Sequence, residues 1–226
     1  MKRITAYLII ALMLFYSTAC SDNNKNETPR TQVEYIWMGD IFIDVLKSNT
    51  PFIEGFQGER ILLSEYLNNL DNDFNFEITE FAIIKREDGK TREVIVTSTN
   101  NIFRIVFHYW NGDIYGFMFG FREMQTIDIK GTFISSGSAF NTNLNRLNFI
   151  DGVYERTILA YSDLNRDDAD NNFMEYFIGD KLVSEEEFLS FLEENYARDV
   201  EWYLFSEETL KDDFIEAWHS RVLEEF

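Results

Sequence analysis

The sequence predicts an α+β domain: an antiparallel β-meander of about eight strands, a curled sheet or a partly open barrel, with N-terminal and C-terminal helices packed on it. Three observations predict this. Aromatic residues make up 16% of the 226, with 22 Phe, a content that only a packed interior accommodates. The dipeptides Asp88-Gly89, Asn111-Gly112, Asp151-Gly152 and Gly179-Asp180 each sit between runs rich in Ile, Val, Phe, Tyr and Thr. In that setting they mark tight hairpins, which make neighbouring strands antiparallel. Helical spacing is found mainly towards the two ends of the chain, and Pro29 and Pro51 are the only prolines, so the elements run on without interruption.

The elements follow in order. Val33, Ile36, Trp37, Ile41 and Val45 recur at three- and four-residue spacing, which predicts a helix over Gln32 to Lys47, with Gly39 tolerated at some cost. A short helix is expected at Leu63 to Leu70, with Ser64 near its start. Strands are expected near Phe76 to Lys85, Arg92 to Thr99, Ile102 to Tyr109, Ile114 to Arg122, Thr126 to Ile134, Arg146 to Ile150, Tyr154 to Tyr161 and Phe173 to Ile178. Ser184-Glu185-Glu186-Glu187 is a capping box and opens a helix to about Tyr196 that buries Phe188, Phe191 and Leu192. One more strand is expected over Val200 to Phe205. Ser206 then opens a last amphipathic helix with Leu210, Phe214, Trp218 and Val222 on one face. No motif recurs between the turns, so a repeat architecture is unsupported.

The start of the chain has a different composition. Lys2 and Arg3 precede an apolar run from Ile4 to Tyr16, then small residues up to Cys20, the only cysteine. The run is shorter than the roughly 20 residues a membrane span needs. Basic, apolar and small residues in that order read as an export signal. Here the chain resembles bacterial lipoproteins: Ala19 and Cys20 match the lipobox, while Ser17 stands where an aliphatic residue is usual. The resemblance implies cleavage before Cys20, acylation of its sulfur and anchoring on the extracytoplasmic face of the cell membrane. Two or more acyl chains hold stably, whereas one is marginal.

Three regions follow from this: residues 1–20 as signal peptide, 21–32 as polar tether, and 33–226 as one domain. The tether, SDNNKNETPRTQ, has no large apolar residue and is expected to stay disordered, with a root-mean-square reach of about 20 Å. Residues 33–226 contain no cysteine, which excludes a disulfide, a thiolate metal site and a cysteine nucleophile there.

Charge narrows the partners. The chain has 20 basic against 40 acidic side chains, and two of the basic ones lie in the first three residues. Such a surface repels phosphates, so nucleic acid is not an expected partner. Cations, a basic protein or an unknown ligand remain, although solubility alone is a sufficient reason for the acidity.

A second resemblance spans most of Phe81 to Leu210. The runs FHYWNGDIYGF, KGTFISSGSA, LAYSD, YFIGDKLVSEEEFLSFLEEN and VEWYLFSEETL are similar to a group of uncharacterised lipoproteins of anaerobic Gram-positive bacteria. It implies an exported single domain and carries no activity. In that group the first hairpin turn is acidic. The turn Arg86-Glu87-Asp88-Gly89-Lys90 is partly basic here, which argues against a cation at that hairpin.

Candidate chemistry is sparse. Asp163, Asn165, Asp167 and Asp170 place oxygen ligands as in the first half of a calcium loop, but Asp168 replaces the turn glycine and Met174 the closing Glu. A solvated acidic loop is the simpler reading, with weak calcium binding left open. No other cofactor is expected. His108 shares a strand face with Val106 and Trp110, which suits a core-edge histidine better than a base, and His219 suits a helix C-terminus. Ser135-Ser136-Gly137-Ser138 lacks a nucleophile-elbow setting and reads as a loop. The acidic residues are too many for spacing to select a catalytic pair. Trp37, Trp110, Trp202 and Trp218 fall on apolar faces and are expected in the core. With no catalytic residue assigned, the expectation is a membrane-anchored binding domain without enzymatic activity. The alternatives are a secreted hydrolase of envelope polymers or glycans and a structural or interaction module.

Overall fold

Val94, Ile95 and Val96 are consecutive and fully buried, as are Ile105, Val106 and Phe107. Successive strand residues point to opposite faces, so such triplets need cover on both sides, which a one-layer sheet with a wet face lacks. The structure is a computed structural model and describes residues 39–55, 57–70, 76–85, 92–138, 141–166, 171–206, 210 and 214, all within one compact unit, Met38–Phe226. In it two sheets pack face to face, and helices lie on their outer faces.

The first sheet has seven strands. Its core is β3 (Ile78–Lys85), β4 (Arg92–Ser98), β5 (Phe103–Trp110) and β6 (Asp113–Gly120), which follow one another as an antiparallel meander. Short strands β1 (Phe52–Glu54) and β2 (Arg60–Ile61) extend it beyond β6, and β13 (Tyr203–Leu204) borders β3. β1 runs parallel to β6, the one parallel pair among the described strands. The second sheet has six antiparallel strands in order: β7 (Thr126–Ile127), β8 (Thr132–Ser136), β9 (Thr142–Ile150), β10 (Val153–Arg166), β11 (Asn172–Ile178) and β12 (Lys181–Val183). The expected meander of about eight strands is therefore corrected to thirteen strands in two sheets, neither of which closes on itself among the described residues. The physical reason is the double burial above: both faces of β4 and β5 need cover, and helical residues supply it on one side and the second sheet on the other.

One outer layer consists of α1 (residues 39–46) and α2 (Leu63–Leu70), together with helical Leu210 and Phe214. Phe42, Val45, Leu46, Leu63, Leu210 and Phe214 pack on Phe81, Val94, Val96, Ile105 and Phe107. Between the sheets, Ile84, Ile95, Val106, Phe117 and Phe119 meet Ile127, Phe133, Leu147 and Phe149. On the far side Leu144 and Ala160 are covered by Phe188 of α3 (Glu185–Asn195). The capping box forms as expected: Ser184 Oγ accepts from Glu187 N at 3.2 Å, and Glu187 Oε2 accepts from Ser184 N at 2.9 Å. The first half of the expected first helix, and Trp218 and Val222 of the last, lie outside the described residues.

Turn chemistry fixes the hairpins. Asn111-Gly112 and Asp151-Gly152 both have positive φ at both residues, the requirement of a two-residue turn whose twist matches the strands. Asp88-Gly89 lies outside the described residues. The expected strand Thr126 to Ile134 is split, because Asp128 accepts from Lys130 N and Thr132 N and Gly131 adopts φ +83°. Asp128 also accepts from Ala197 N at 2.8 Å, pinning the segment that leads into β13. That segment borders β7 through Val200 N to Ile127 O, then crosses to β3 as β13, which is shorter than the expected Val200 to Phe205.

Candidate functional site

From the second sheet the sandwich core takes Ile127, Phe133, Leu147 and Phe149, with Tyr154 packed against them. β9, β10 and β11 continue beyond it. On their inner face, strand register sets one row across four strands: Ser135 opposite Asn143, Asn143 opposite Tyr161, and Tyr161 opposite Phe177. The Tyr161 and Phe177 rings stack with centroids 4.6 Å apart. A neighbouring row pairs Asp163 with Glu175. Ile158 (45% exposed), Phe173 (44%) and the Arg156 side chain are open to solvent. The row is thus a half-open platform of amides, a hydroxyl, two rings, two carboxylates and a guanidinium.

The polar side chains are held in place. Buried Asn145 donates from Nδ2 to Ser135 Oγ at 2.9 Å and to the Asn143 carbonyl at 3.2 Å, which leaves its Oδ1 to accept from Arg156 Nε at 3.2 Å. Arg156 Nη2 donates to Ser135 Oγ at 3.3 Å, and Asn143 Nδ2 approaches the same oxygen at 3.4 Å. Asp163 accepts from Asn141 Nδ2 at 2.8 Å, and Glu175 accepts from Asn165 Nδ2. Burial pushes the Tyr154 phenol up to about 12, opposed by the nearby Arg156 charge.

Several expected positions fall elsewhere. Asp163 and Asn165 belong to β10, paired with β11 as far as Arg166 opposite Asn172, and are not part of a loop. Asp167 and Asp170 lie outside the described residues, as does Cys20. Among the described residues no three His, Cys, Asp or Glu side chains gather as metal ligands. Ser135 and Ser136, read as loop from their glycine setting, end β8, and Gly137 and Ser138 lie beyond the strand. Their residue types gave no sign of this; the strand signal was the preceding Thr132-Phe133-Ile134.

His108 does share its face with Val106, but it is a core residue, 2% exposed. It stacks on Phe149 at 4.2 Å, and its Nδ1 is 3.1 Å from Glu93 Oε1, its register partner on β4. The pair is sealed between the sheets. Trp110 keeps the expected face yet is 39% exposed, because it sits at the β5–β6 tip and covers Gly152, where an added Cβ would lie 2.8 Å from its ring. Trp202 lies over the buried Arg104 guanidinium at 5.3 Å, and Trp37 and Trp218 lie outside the described residues.

A concavity of about 490 Å³ lies between β12 and α3, lined by Ile178, Val183, Phe191, Lys181, Glu186 and Glu194 among others. Among the described residues no helix is long and apolar enough to cross a membrane. Comparison with protein-family models, curated proteins and solved structures finds no match.

Proposed function

We propose that the chain is a lipoprotein anchored through acylated Cys20 on the extracytoplasmic face of the cell membrane, whose folded domain binds a ligand without transforming it. The order of Lys2 and Arg3, the apolar run and Ala19-Cys20 carries the location. The inner-face row Ser135, Asn143, Tyr161 and Phe177 supports the binding role: hydrogen-bonding groups and rings on a rigid sheet form a recognition surface. The sealed position of His108 fits a structural role for this histidine. The acidic surface fits a partner that is not nucleic acid.

The test is fractionation of cells expressing the full chain, with mass spectrometry of the membrane-bound form. Acyl mass on an N-terminal Cys20, and release from the membrane by Cys20→Ala, are expected. A cytosolic protein that keeps its first twenty residues overturns the reading.

One observation favours a second reading, a glycan hydrolase. Asp163 and Glu175 stand opposite each other on adjacent strands, and retaining glycosidases place their two carboxyl groups about 5 Å apart. Release of reducing sugar from glycan substrates, abolished by Asp163→Asn, would establish it in place of pure binding.

A further inference from the structure

We infer that Arg156, Asn143 and Ser135 form the subsite for the carboxylate of an acidic sugar; this rests on the binding role proposed above and names its ligand class. The first ground is the company Arg156 keeps. The chain has twice as many acidic as basic side chains, yet Arg156 meets no carboxylate at ion-pair distance among the described residues. Arg60, by contrast, donates from Nη2 to both Asp113 oxygens at 2.8 Å. Arg156 is instead oriented by two neutral acceptors, Asn145 Oδ1 and Ser135 Oγ, both on buried side chains. An oriented guanidinium keeps donors available in a fork that matches a carboxylate.

The second ground is a donor count. Three N–H groups, from Asn145, Arg156 and Asn143, converge on Ser135 Oγ at 2.9, 3.3 and 3.4 Å. A hydroxyl oxygen has two lone pairs. One donor is therefore in surplus, the most distant being that of Asn143, and an acceptor placed between Asn143 and Arg156 would take it together with the N–H groups the guanidinium has left over. A site with surplus donors and a positive charge selects an anion.

The rest of the row narrows the anion. Asp163 and Glu175 lie in the adjacent row, and their repulsion weighs on a doubly charged phosphate more than on a single carboxylate. They and the Asn141 and Asn165 amides suit hydroxyl groups as acceptors and donors. Tyr161 and Phe177 occupy the next two strands at the roughly 4.8 Å strand spacing, so a group one sugar ring away from the carboxylate lies against aromatic carbon.

The test is calorimetric titration of the full chain with digalacturonate and with its dimethyl ester, which keeps the rings and removes the charges. Digalacturonate is expected to bind, and the ester on the order of tenfold more weakly or worse. Arg156→Ala is expected to lose a similar factor and Tyr161→Ala to weaken both ligands, while Arg156→Lys retains part of the affinity. A urea midpoint for Arg156→Ala equal to that of the natural chain shows that binding, not folding, was lost. No response to digalacturonate at millimolar concentration overturns the inference, as does equal binding of acid and ester or indifference to Arg156→Ala. Tighter binding of galactose 6-phosphate than of galacturonate overturns the choice of carboxylate. Equal binding of acid and ester leaves the binding role standing, whereas cleavage of the disaccharide would refute that role itself.

Discussion

Phe149→Ala probes the contact between the two sheets directly. Phe149 projects from β9 and is 8% exposed; it stacks on His108 of β5 and meets Phe117 of β6 with centroids 5.3 Å apart. It also lies 5.8 Å from the ring of Tyr154. A buried Phe removes about 200 Å² from water, worth roughly 5 kcal/mol at about 25 cal/mol per Å² as an upper bound. Measured Phe→Ala losses in cores run about 3–5 kcal/mol once partial collapse of the cavity is included. For a chain of this size each kcal/mol moves the melting midpoint by about 2–4 °C, so a fall of about 6–20 °C is expected. The assay is urea and thermal unfolding followed by circular dichroism on the full chain. Phe173→Ala serves as the control, since Phe173 is 44% exposed and outside the sandwich core, and should change stability by no more than about 0.5 kcal/mol. A loss below about 1 kcal/mol at Phe149, or equal losses at both positions, would refute face-to-face packing of the sheets through this side chain.

Gly116→Ala places a methyl carbon 2.6 Å from the Phe52 ring, and the resulting overpacking should cost about 1–3 kcal/mol or more, read as a lower urea midpoint. Ser184→Ala removes the hydroxyl of the α3 capping box and should cost about 1 kcal/mol, with less helical ellipticity on heating. Burial raises the phenols of Tyr66 and Tyr154 to about 12, so the folded state favours their neutral form. That stabilisation is complete below the ordinary value near 10 and is lost as pH rises through about 12. The last part of the tyrosinate absorbance, which comes from these two phenols, should therefore appear together with unfolding; full ionisation at pH 11 in a protein that stays folded would contradict it.

The sequence made the hairpins legible because their turns depend on local backbone chemistry: Asn111-Gly112 and Asp151-Gly152 need positive φ whatever surrounds them. The α3 cap was legible for the same reason. The second sheet was not, because burial on both faces of β4 and β5 gives an uninterrupted apolar run, and periodicity cannot say what covers it. The strands β1, β2 and β12, of two or three residues each, are too short to carry a pattern. At the site, Asp163 and Asn165 drew notice as loop ligands, while Asn143, Asn145 and Arg156 did not. Their shared position arises only from register between β8, β9 and β10, including the shift between Ile158 and Ala160 that no local signal announces.

The stretch from Ala197 to Leu204 lies first against β7 and then against β3, so one late piece of chain guards the flanks of two different layers. β3 follows β2 by only a short stretch of chain, yet its outer rail is unguarded until residues more than a hundred positions later have emerged. Exposed rails of this kind recruit strands from other molecules. The self-association hazard along that rail therefore ends only once the chain has reached Leu204.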